Sequence, residues 1–305
     1  MVGSRERIEQ DLAALEETLT GLNLEFRSTY EDYLTALGQA VRKQLILACY
    51  HLCTQVTPDA FLKLSFKERQ KMQHSVRLLA AISQEKLRSL ANKEDPSADI
   101  EEDEDLEEYD ELAEYENREE DDNIDDDRDI EEQEDSIINY QYPARQPELP
   151  ANSPETLARW QRNIEKAIFN IIKQLSRDIN RLLQQSGILS NQLPEQVLEA
   201  AYQAESSGES VAGPPHLLNI IIETGSSSES KSLRETRGTT SIQITAIKLR
   251  LSEIEFADVA TSTYRQQIRN LSVRLNTLGR DYQKKRRELA VVEAESAWRS
   301  SWLED

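Results

Sequence analysis

The hydrophobic positions at the start of the chain recur at the spacing of a helix. Five apolar residues follow one another at steps of four and three, which places them on one helical face: Ile8, Leu12, Leu15, Leu19 and Leu22. This pattern predicts a helix over residues 5–20 that ends at Gly21. Ser28 and Glu31 then have the spacing of a capping box, in which each side chain accepts a hydrogen bond from the other residue's backbone N–H. We therefore expect a second helix to begin at Ser28.

The predicted second helix carries a continuous apolar face formed by Tyr30, Tyr33, Leu34, Leu37, Val41, Leu45, Cys49 and Leu52. Pro58 interrupts this helix, because proline lacks the backbone N–H that the helix needs. Ser65 and Glu68 repeat the capping-box spacing and predict a further helix that ends near Leu90. Residues 1–93 are thus predicted to form a bundle of three or four helices.

A long helix is also predicted in the second half of the chain. Ser153 supplies a capping hydroxyl and Pro154 occupies the first helical position, where its missing N–H costs nothing. The apolar face that follows has an average spacing of about 3.6 residues and is formed by Leu157, Trp160, Ile164, Ile168, Ile171, Leu175, Ile179 and Leu182. Gly187 should end this helix, and a short helix is predicted over residues 194–202.

Two apolar stretches further along the chain indicate β-strands. Residues 216–223 are rich in isoleucine and follow two prolines, and residues 239–251 alternate between apolar and polar side chains. The alternation slips by one residue at Ala246-Ile247, which predicts a β-bulge. We expect an antiparallel hairpin with a long loop, and its apolar face must pack on helices or on another chain.

The last predicted helix runs from Ala257 to Arg299, which would make it about 65 Å long. Its apolar seam recurs about every 3.5 residues, the spacing of a coiled coil, and consists of Tyr264, Ile268, Leu271, Leu275, Leu278, Tyr282, Leu289 and Val292. A helix of this length needs a partner to cover its seam. Two partners fit the sequence: the helix over residues 154–186, or the same helix in a second copy, which would form a homodimer.

Charge divides the chain into three parts. Residues 94–135 contain 26 acidic and two basic residues, a net charge of −24, whereas the rest of the chain carries +3. Such a segment is predicted to be disordered, and residues 136–153, with three prolines, to be an extended linker. The predicted fold is therefore mainly α: a helical bundle over residues 1–93, an acidic linker over 94–153, and an α+β module over 154–305 with long coiled-coil-like helices and the hairpin.

The acidic segment contains apolar residues at every third position near its start: Leu106, Tyr109, Leu112 and Tyr115. One hypothesis is that they form a recognition element that binds a basic protein partner or the chain's own basic helices. The alternative is a solubilising spacer in which these four residues have no role.

Two stretches outside the acidic segment are basic. Residues 61–93 and residues 261–291 each carry a net charge of +6, and the second contains a basic face formed by Arg280, Lys284, Lys285, Arg286 and Arg287. Basic helices can bind nucleic acid, so a nucleic-acid-binding protein autoinhibited by its acidic segment is the alternative function. Membrane association is not expected, because Trp298 and Trp302, which could lie at a lipid interface, should pack against a neighbouring helix.

No pattern in the sequence indicates catalysis, a cofactor or a metal site. The three histidines lie on different elements, and no phosphate-binding loop or nucleophile motif is present. Cys49 and Cys53 continue an apolar stripe, so we interpret them as core residues. No signal core and no apolar run of about 20 residues occurs, which predicts a cytoplasmic protein. We expect a non-enzymatic scaffold or adaptor.

The stretch "ITAIKLRLSEIEFADVATSTYRQQIRNLSVRLNTLGRDYQKKRRELAVVEAESAWRSSWLED", preceded by "LPEQVLEAAYQAE", resembles the C-terminal part of an uncharacterised family of cyanobacterial proteins. The resemblance covers residues 154–305. It implies a bacterial cytosolic or thylakoid-associated setting, and it supplies neither an activity nor functional residues.

Overall fold

The computed structural model of the chain describes residues 2–93, 153–189, 215–224 and 240–302. Within these residues the fold is mainly α, as predicted, with six α-helices, a π-helical turn and one two-stranded antiparallel sheet. The elements in chain order are α1 (Val2–His51), the π-helical turn (Leu52–Val56), α2 (Pro58–Lys63), α3 (Phe66–Leu90), α4 (Pro154–Gln185), β1 (Leu217–Thr224), β2 (Thr240–Ile247), α5 (Leu251–Ala257) and α6 (Val259–Ser301). The acidic segment 94–135, most of the linker, the predicted helix 194–202 and most of the hairpin loop lie outside the described residues.

Helix α1 is one continuous helix of 50 residues, so the predicted end at Gly21 and new start at Ser28 are wrong. A glycine inside a helix costs only about 1 kcal/mol relative to alanine, which burial of the neighbouring apolar side chains outweighs. Leu22, Phe26 and Tyr30 are buried at steps of four and carry the apolar face across the predicted gap. Ser28 is exposed on the opposite side, where the Ser-x-x-Glu spacing has no capping role.

The second half of α1 and the start of α3 agree with the sequence. All eight residues of the predicted face from Tyr30 to Leu52 are buried. The π-helical turn that follows is closed by Thr57, whose N and Oγ1 lie 2.8 Å and 3.0 Å from Leu52 O. The predicted capping box of α3 is present, with Ser65 Oγ 3.3 Å from Glu68 N and Glu68 Oε2 2.7 Å from Ser65 N.

Helix α4 begins and ends where the sequence predicts. Ser153 Oγ accepts a hydrogen bond from Thr156 N at 3.2 Å, and Gly187 adopts a φ of +73° just after the helix. This left-handed conformation favours glycine because it has no Cβ. The predicted stripe is buried except at Ile171 and Leu182, which are half-buried while their C-terminal neighbours are buried.

The hairpin has a regular register that pairs Leu217 with Ile247 and Thr224 with Thr240. The predicted bulge at Ala246-Ile247 is therefore wrong, and so is the extension of the strand to residue 251. The apolar alternation slips because β2 ends at Ile247, and Leu249 is buried in the connection that follows. Helix α5, which the sequence analysis did not predict, begins at Leu251.

Asp258 separates α5 from α6 and has an extended backbone. Its Oδ2 accepts hydrogen bonds from Thr261 N at 3.2 Å and Thr261 Oγ1 at 3.0 Å, so it caps the start of α6. The observed α6 spans 43 residues, close to the predicted helix.

Two compact units are present among the described residues. The first contains residues 2–19, 153–166 and 278–302, and the second contains residues 20–93, 167–189, 215–224 and 240–277. Helices α1, α4 and α6 each contribute to both units, so the units do not coincide with the predicted boundaries at residues 93 and 154.

In the first unit, α1 and α6 run antiparallel. Arg5 Nη2 lies 3.1 Å from Glu293 Oε1, and Lys285 Nζ lies 3.2 Å from Asp11 Oδ2. The start of α4 lies beside α6, where a Cβ added at Gly279 would stand 3.6 Å from the Cβ of Pro154.

In the second unit, α1 and α6 are again antiparallel, because Arg274 Nη1 lies 2.5 Å from Glu25 Oε2 and Arg265 Nη2 lies 2.6 Å from the hydroxyl of Tyr33. Helix α3 packs closely on α1 at Gly38, where an added Cβ would stand 3.0 Å from Gln84 Cγ. Helix α4 holds the end of β2 through Asn180, and the π-helical turn contacts β2. The core of this unit is dominated by large side chains that include Phe26, Tyr30, Tyr33, Leu34, Leu37, Leu45 and Ile168.

Candidate functional site

The predicted seam of α6 faces the interior of the chain. Ile268, Leu271, Leu275, Leu278 and Tyr282 are buried, and Tyr264, Leu289 and Val292 are half-buried. In each unit α1 lies antiparallel to α6, and it was not among the predicted partners. The predicted partner helix α4 also contacts α6 at its start, where Gln283 Nε2 donates to Glu155 Oε1 at 3.3 Å. Coiled-coil pairing and a homodimer through α6 stay predictions.

The predicted basic face of α6 is partly engaged by neighbouring groups in the first unit. Lys285 Nζ lies 3.0 Å from Glu288 Oε2 and 3.2 Å from Asp11 Oδ2, and these two hydrogen bonds raise the pKa of Lys285. The guanidinium of Arg286 lies 6.0 Å from the centre of the Tyr282 ring. Arg280, Lys284 and Arg287 are exposed, and the last two form no ion pair with any described residue.

Helix α3 presents a second surface, which we call the α3 outer face: Lys67, Lys71, Leu78, Ile82 and Lys86. Successive residues of a helix are about 100° apart, so these five side chains share one side of α3. The opposite side is buried through Met72, Val76, Ala80, Leu87 and Leu90. Leu78 and Ile82 are 53% and 44% exposed, a high fraction for two neighbouring aliphatic side chains.

The cations of α3 differ from those of α6 in their partners. Five exposed cations form no ion pair with any residue in the described ranges: Lys67, Lys71, Arg77, Lys86 and Arg88. Two exposed carboxylates lie on the same side of the helix: Glu85, and Glu68, which hydrogen-bonds Ser65 in the capping box. By contrast, Arg265 and Arg274 of α6 each pair with a glutamate. The sequence showed the charge of this region but not which cations would remain without a partner.

The apolar part of the α3 outer face has a sequence signal that the analysis missed. Leu78 and Ile82 are four residues apart and lie off the stripe of Met72, Val76 and Ala80. The buried face of α3 is already formed by other residues. A second apolar pair outside that face is therefore available to bind another segment of protein. The residues predicted to bind partners in the acidic segment, Leu106, Tyr109, Leu112 and Tyr115, lie outside the described part of the chain.

A polar cluster links α1, α5 and α6 within the second unit. The hydroxyl of Tyr33 donates to Glu255 Oε1 at 2.5 Å and accepts from Arg265 Nη2 at 2.6 Å, while Arg265 Nε lies 2.8 Å from the same carboxylate oxygen. The guanidinium also lies 4.6 Å from the centre of the Tyr33 ring. The side chains of Arg265 and Glu255 are each 15% exposed. This arrangement satisfies its own charges, so it stabilises the unit and leaves no group free for chemistry.

His216 is the most unusual polar residue in the second unit. It is 1% exposed and has a φ of +62°, a left-handed conformation that is uncommon for a residue with a side chain. Its Nδ1 accepts a hydrogen bond from the backbone N–H of Arg250 at 3.4 Å and lies 3.1 Å from Glu253 Oε2. Its Nε2 is buried and has no hydrogen-bond partner.

The environment of His216 opposes its protonation. Burial lowers the pKa of His216 most strongly, the attraction of Glu253 raises it, and the nearby Arg250 lowers it, with a net decrease. The folded state therefore binds a proton less readily than the unfolded state, whose histidines titrate near pH 6.5. Stability from this group is complete above that pH and is lost as the pH falls through it.

We expect acidification from about pH 7.5 to about pH 5.5 to destabilise the wild-type chain more than the His216→Asn variant. Asparagine tolerates a positive φ, so this substitution removes the imidazole without straining the backbone. Urea denaturation at both pH values measures the effect. His74→Asn, at an exposed position on α3, is the control and should lose as much stability as the wild type. An equal loss in H216N would contradict the assignment to His216.

The two cysteines are buried, as the sequence predicts. Cys49 and Cys53 are buried free thiols, and burial raises the pKa of both, that of Cys53 to about 11. Within the described ranges no group of His, Cys, Asp or Glu side chains is arranged to hold a metal ion.

Trp298 and Trp302 are 66% and 65% exposed and contact each other with ring centres 5.6 Å apart, so the expectation that they pack on a neighbouring helix is wrong. None of the described helices is long and apolar enough to span a bilayer.

Comparisons with known proteins give no match. No protein-family model, no curated protein and no solved structure is similar to the chain. The resemblance to a cyanobacterial family therefore stays an expectation.

Proposed function

We propose that the chain is a non-enzymatic, cytoplasmic scaffold that binds proteins, and that the α3 outer face is its docking surface. The partner segment would be acidic and would carry apolar side chains. One observation carries the proposal: the three exposed cations of the α3 outer face, Lys67, Lys71 and Lys86, form no ion pair with any described residue, and the exposed Leu78 and Ile82 lie on the same side of the helix.

The two kinds of side chain on this face would contribute differently. Exposed cations attract an acidic segment over about 8 Å at physiological salt, which speeds association and orients the segment. Leu78 and Ile82 would supply the affinity, since burial of apolar area contributes about 25 cal/mol per Å². A partner segment with acids alone would bind weakly, because exposed ion pairs contribute only about 0–1 kcal/mol each.

A designed peptide tests the proposal on the chain from which residues 94–135 are deleted. The probe is a fluorescent peptide of about 20 residues, rich in glutamate, with a leucine at every third or fourth position. We expect K67E/K71E to weaken its binding about tenfold, because two attractive charges become repulsive. Glutamate is favourable near the start of a helix, so both substitutions should leave α3 folded.

The chain provides a matched control for this test. Lys284 and Arg287 are also exposed and have no ion pair with described residues, but no exposed aliphatic pair like Leu78 and Ile82 accompanies them on α6. K284E/R287E should change the affinity for the probe by less than about twofold. Equal losses in the two variants would mean that binding depends only on total charge and would refute a specific surface on α3. Circular dichroism should show equal helicity in both.

Nucleic-acid binding is the second candidate, because the same unpaired cations could contact phosphates. The outer face favours a peptide, since its apolar residues are aliphatic and the imidazole of His74 is the only ring among the described residues on this side of α3. Duplex DNA and single-stranded RNA titrated over about 50–200 mM salt separate the candidates. Binding with a steep salt dependence in the deletion chain, but not in the full chain, would support nucleic-acid binding. Absence of binding at low salt would exclude it.

A further inference from the structure

We propose that the chain's own residues 105–116 occupy the α3 outer face when no partner is bound. This inference rests on the proposed function, because it assigns an occupant to the same surface. The four apolar residues of that stretch, Leu106, Tyr109, Leu112 and Tyr115, would contact Leu78 and Ile82, and the acids between them would pair with the cations of α3.

The position of the acidic segment in the chain makes this contact geometrically accessible. The last described residue before it is Lys93, three residues after α3 ends at Leu90. Thirteen residues lead from Lys93 to Leu106 and can span up to about 43 Å. Leu78 lies only about 18 Å from Leu90 along the helix axis, and Lys67 about 35 Å. Residues 105–116 can therefore reach every side chain of the α3 outer face.

Tethering makes even a weak contact effective. A short connection holds the segment at a local concentration of roughly millimolar relative to α3. A segment with an intrinsic dissociation constant near that value would occupy the face about half of the time. An external partner would have to displace it, so the acidic segment would set a threshold for binding.

Charge complementarity favours this occupant over a second copy of the chain. Residues 94–135 carry −24, whereas residues 61–93 carry +6. The α3 face of a second copy carries the same positive charge and would be repelled.

Photo-crosslinking of the full-length chain tests the inference. p-Benzoylphenylalanine is placed at Ile82, and at Leu24 as the control, since Leu24 is 67% exposed on α1 in the same unit. After irradiation the monomer is digested and the cross-linked peptides are identified by mass spectrometry. We expect Ile82 to cross-link to peptides from residues 105–116, and Leu24 to give about fivefold fewer such products. Salt of about 1 M should reduce the yield from Ile82, because the Debye length falls to about 3 Å.

The apolar residues provide a second variant that does not alter the fold of α3. L106A/Y109A/L112A/Y115A should lower the cross-link yield from Ile82 about fivefold and strengthen binding of the glutamate–leucine probe to the full chain. Unchanged yield in this variant would overturn the inference, because the acids alone would then suffice. Cross-links that join two copies, or that reach only other segments, would overturn it as well.

These outcomes are separable from those of the proposed function. If the deletion chain binds the probe and Ile82 does not cross-link to residues 105–116, the docking surface stands and its internal occupant is refuted. If the cross-links form but the deletion chain fails to bind the probe, the internal contact stands and the surface for an external partner is refuted.

Discussion

Replacing Arg265 by methionine is expected to lower the free energy of unfolding by about 3–5 kcal/mol. Arg265 neutralises Glu255 and hydrogen-bonds the hydroxyl of Tyr33, and both charged side chains are only 15% exposed. Methionine keeps most of the volume of the side chain but removes the positive charge. The carboxylate of Glu255 is then left largely buried without its cation, and that desolvation dominates the loss.

A second substitution should recover part of this loss. In the R265M background, Glu255→Gln removes the unpaired charge and leaves an amide that can still hydrogen-bond Tyr33. We expect it to restore about 1–3 kcal/mol, measured by urea denaturation followed by circular dichroism. Arg274→Met is the matched control, since Arg274 is also on α6 and pairs with Glu25 of α1, but both side chains are more than half exposed. R274M should lose less than about 1 kcal/mol of unfolding free energy. If R265M and R274M lose equal amounts, the burial of the Arg265–Glu255 pair is not the cause of the loss.

The elements that sequence analysis predicted correctly are those with local signals at both ends. Helix α3 has Ser65 and Glu68 at its start, and α4 has Ser153 and Pro154 at its start and Gly187 after its end. Each signal depends on hydrogen bonds within four or five residues, so one sequence suffices to recognise it. The same reasoning failed at Ser28, because a Ser-x-x-Glu spacing also suits the exposed side of a continuous helix.

The elements that could not be predicted from the sequence depend on long-range packing. Helix α5 follows β2 after three residues, and its apolar spacing continued the pattern of the strand. The antiparallel pairing of α1 with α6 joins residues more than 200 positions apart, such as Tyr33 and Arg265. Several helices carried stripes that could cover the seam of α6, and no local property distinguishes among them.

The candidate surface was only half predictable for the same reason. The charge of residues 61–93 is visible in the sequence, and so is the apolar stretch at Leu106 in the acidic segment. The pairing state of each cation depends on which helices are neighbours, which the sequence did not fix. Helix α6 has acidic partners on α1 for Arg274 and Lys285, whereas the five cations of α3 have none among the described residues. This difference moves the candidate surface from α6 to α3.

The second large loss of stability is expected when Asn180, which hydrogen-bonds the end of β2, is replaced. Asn180 of α4 is 2% exposed, and its side chain pairs with both backbone groups of Ile247, donating to the carbonyl at 2.7 Å and accepting from the N–H at 2.9 Å. Asn180 thus replaces a neighbouring strand at the end of β2. Ser176, one turn earlier, accepts a hydrogen bond from Leu249 N at 3.0 Å and continues the same support.

Asn180→Leu should therefore lower the free energy of unfolding by about 3 kcal/mol, because two buried backbone groups lose their partners at about 1–3 kcal/mol each. Leucine has a higher helix propensity than asparagine, so the helix itself is not weakened by the change. Asn270→Leu at an exposed position of α6 is the control and should leave stability unchanged or slightly raised. In N180L we expect the Ile247 amide to exchange faster, while the amides in the buried part of α1 exchange at an unchanged rate. This result would locate the loss of stability at the hairpin. If N180L unfolds at the same urea concentration as N270L, the side chain of Asn180 does not anchor β2, and the hairpin must be held by its apolar contacts with the helices instead.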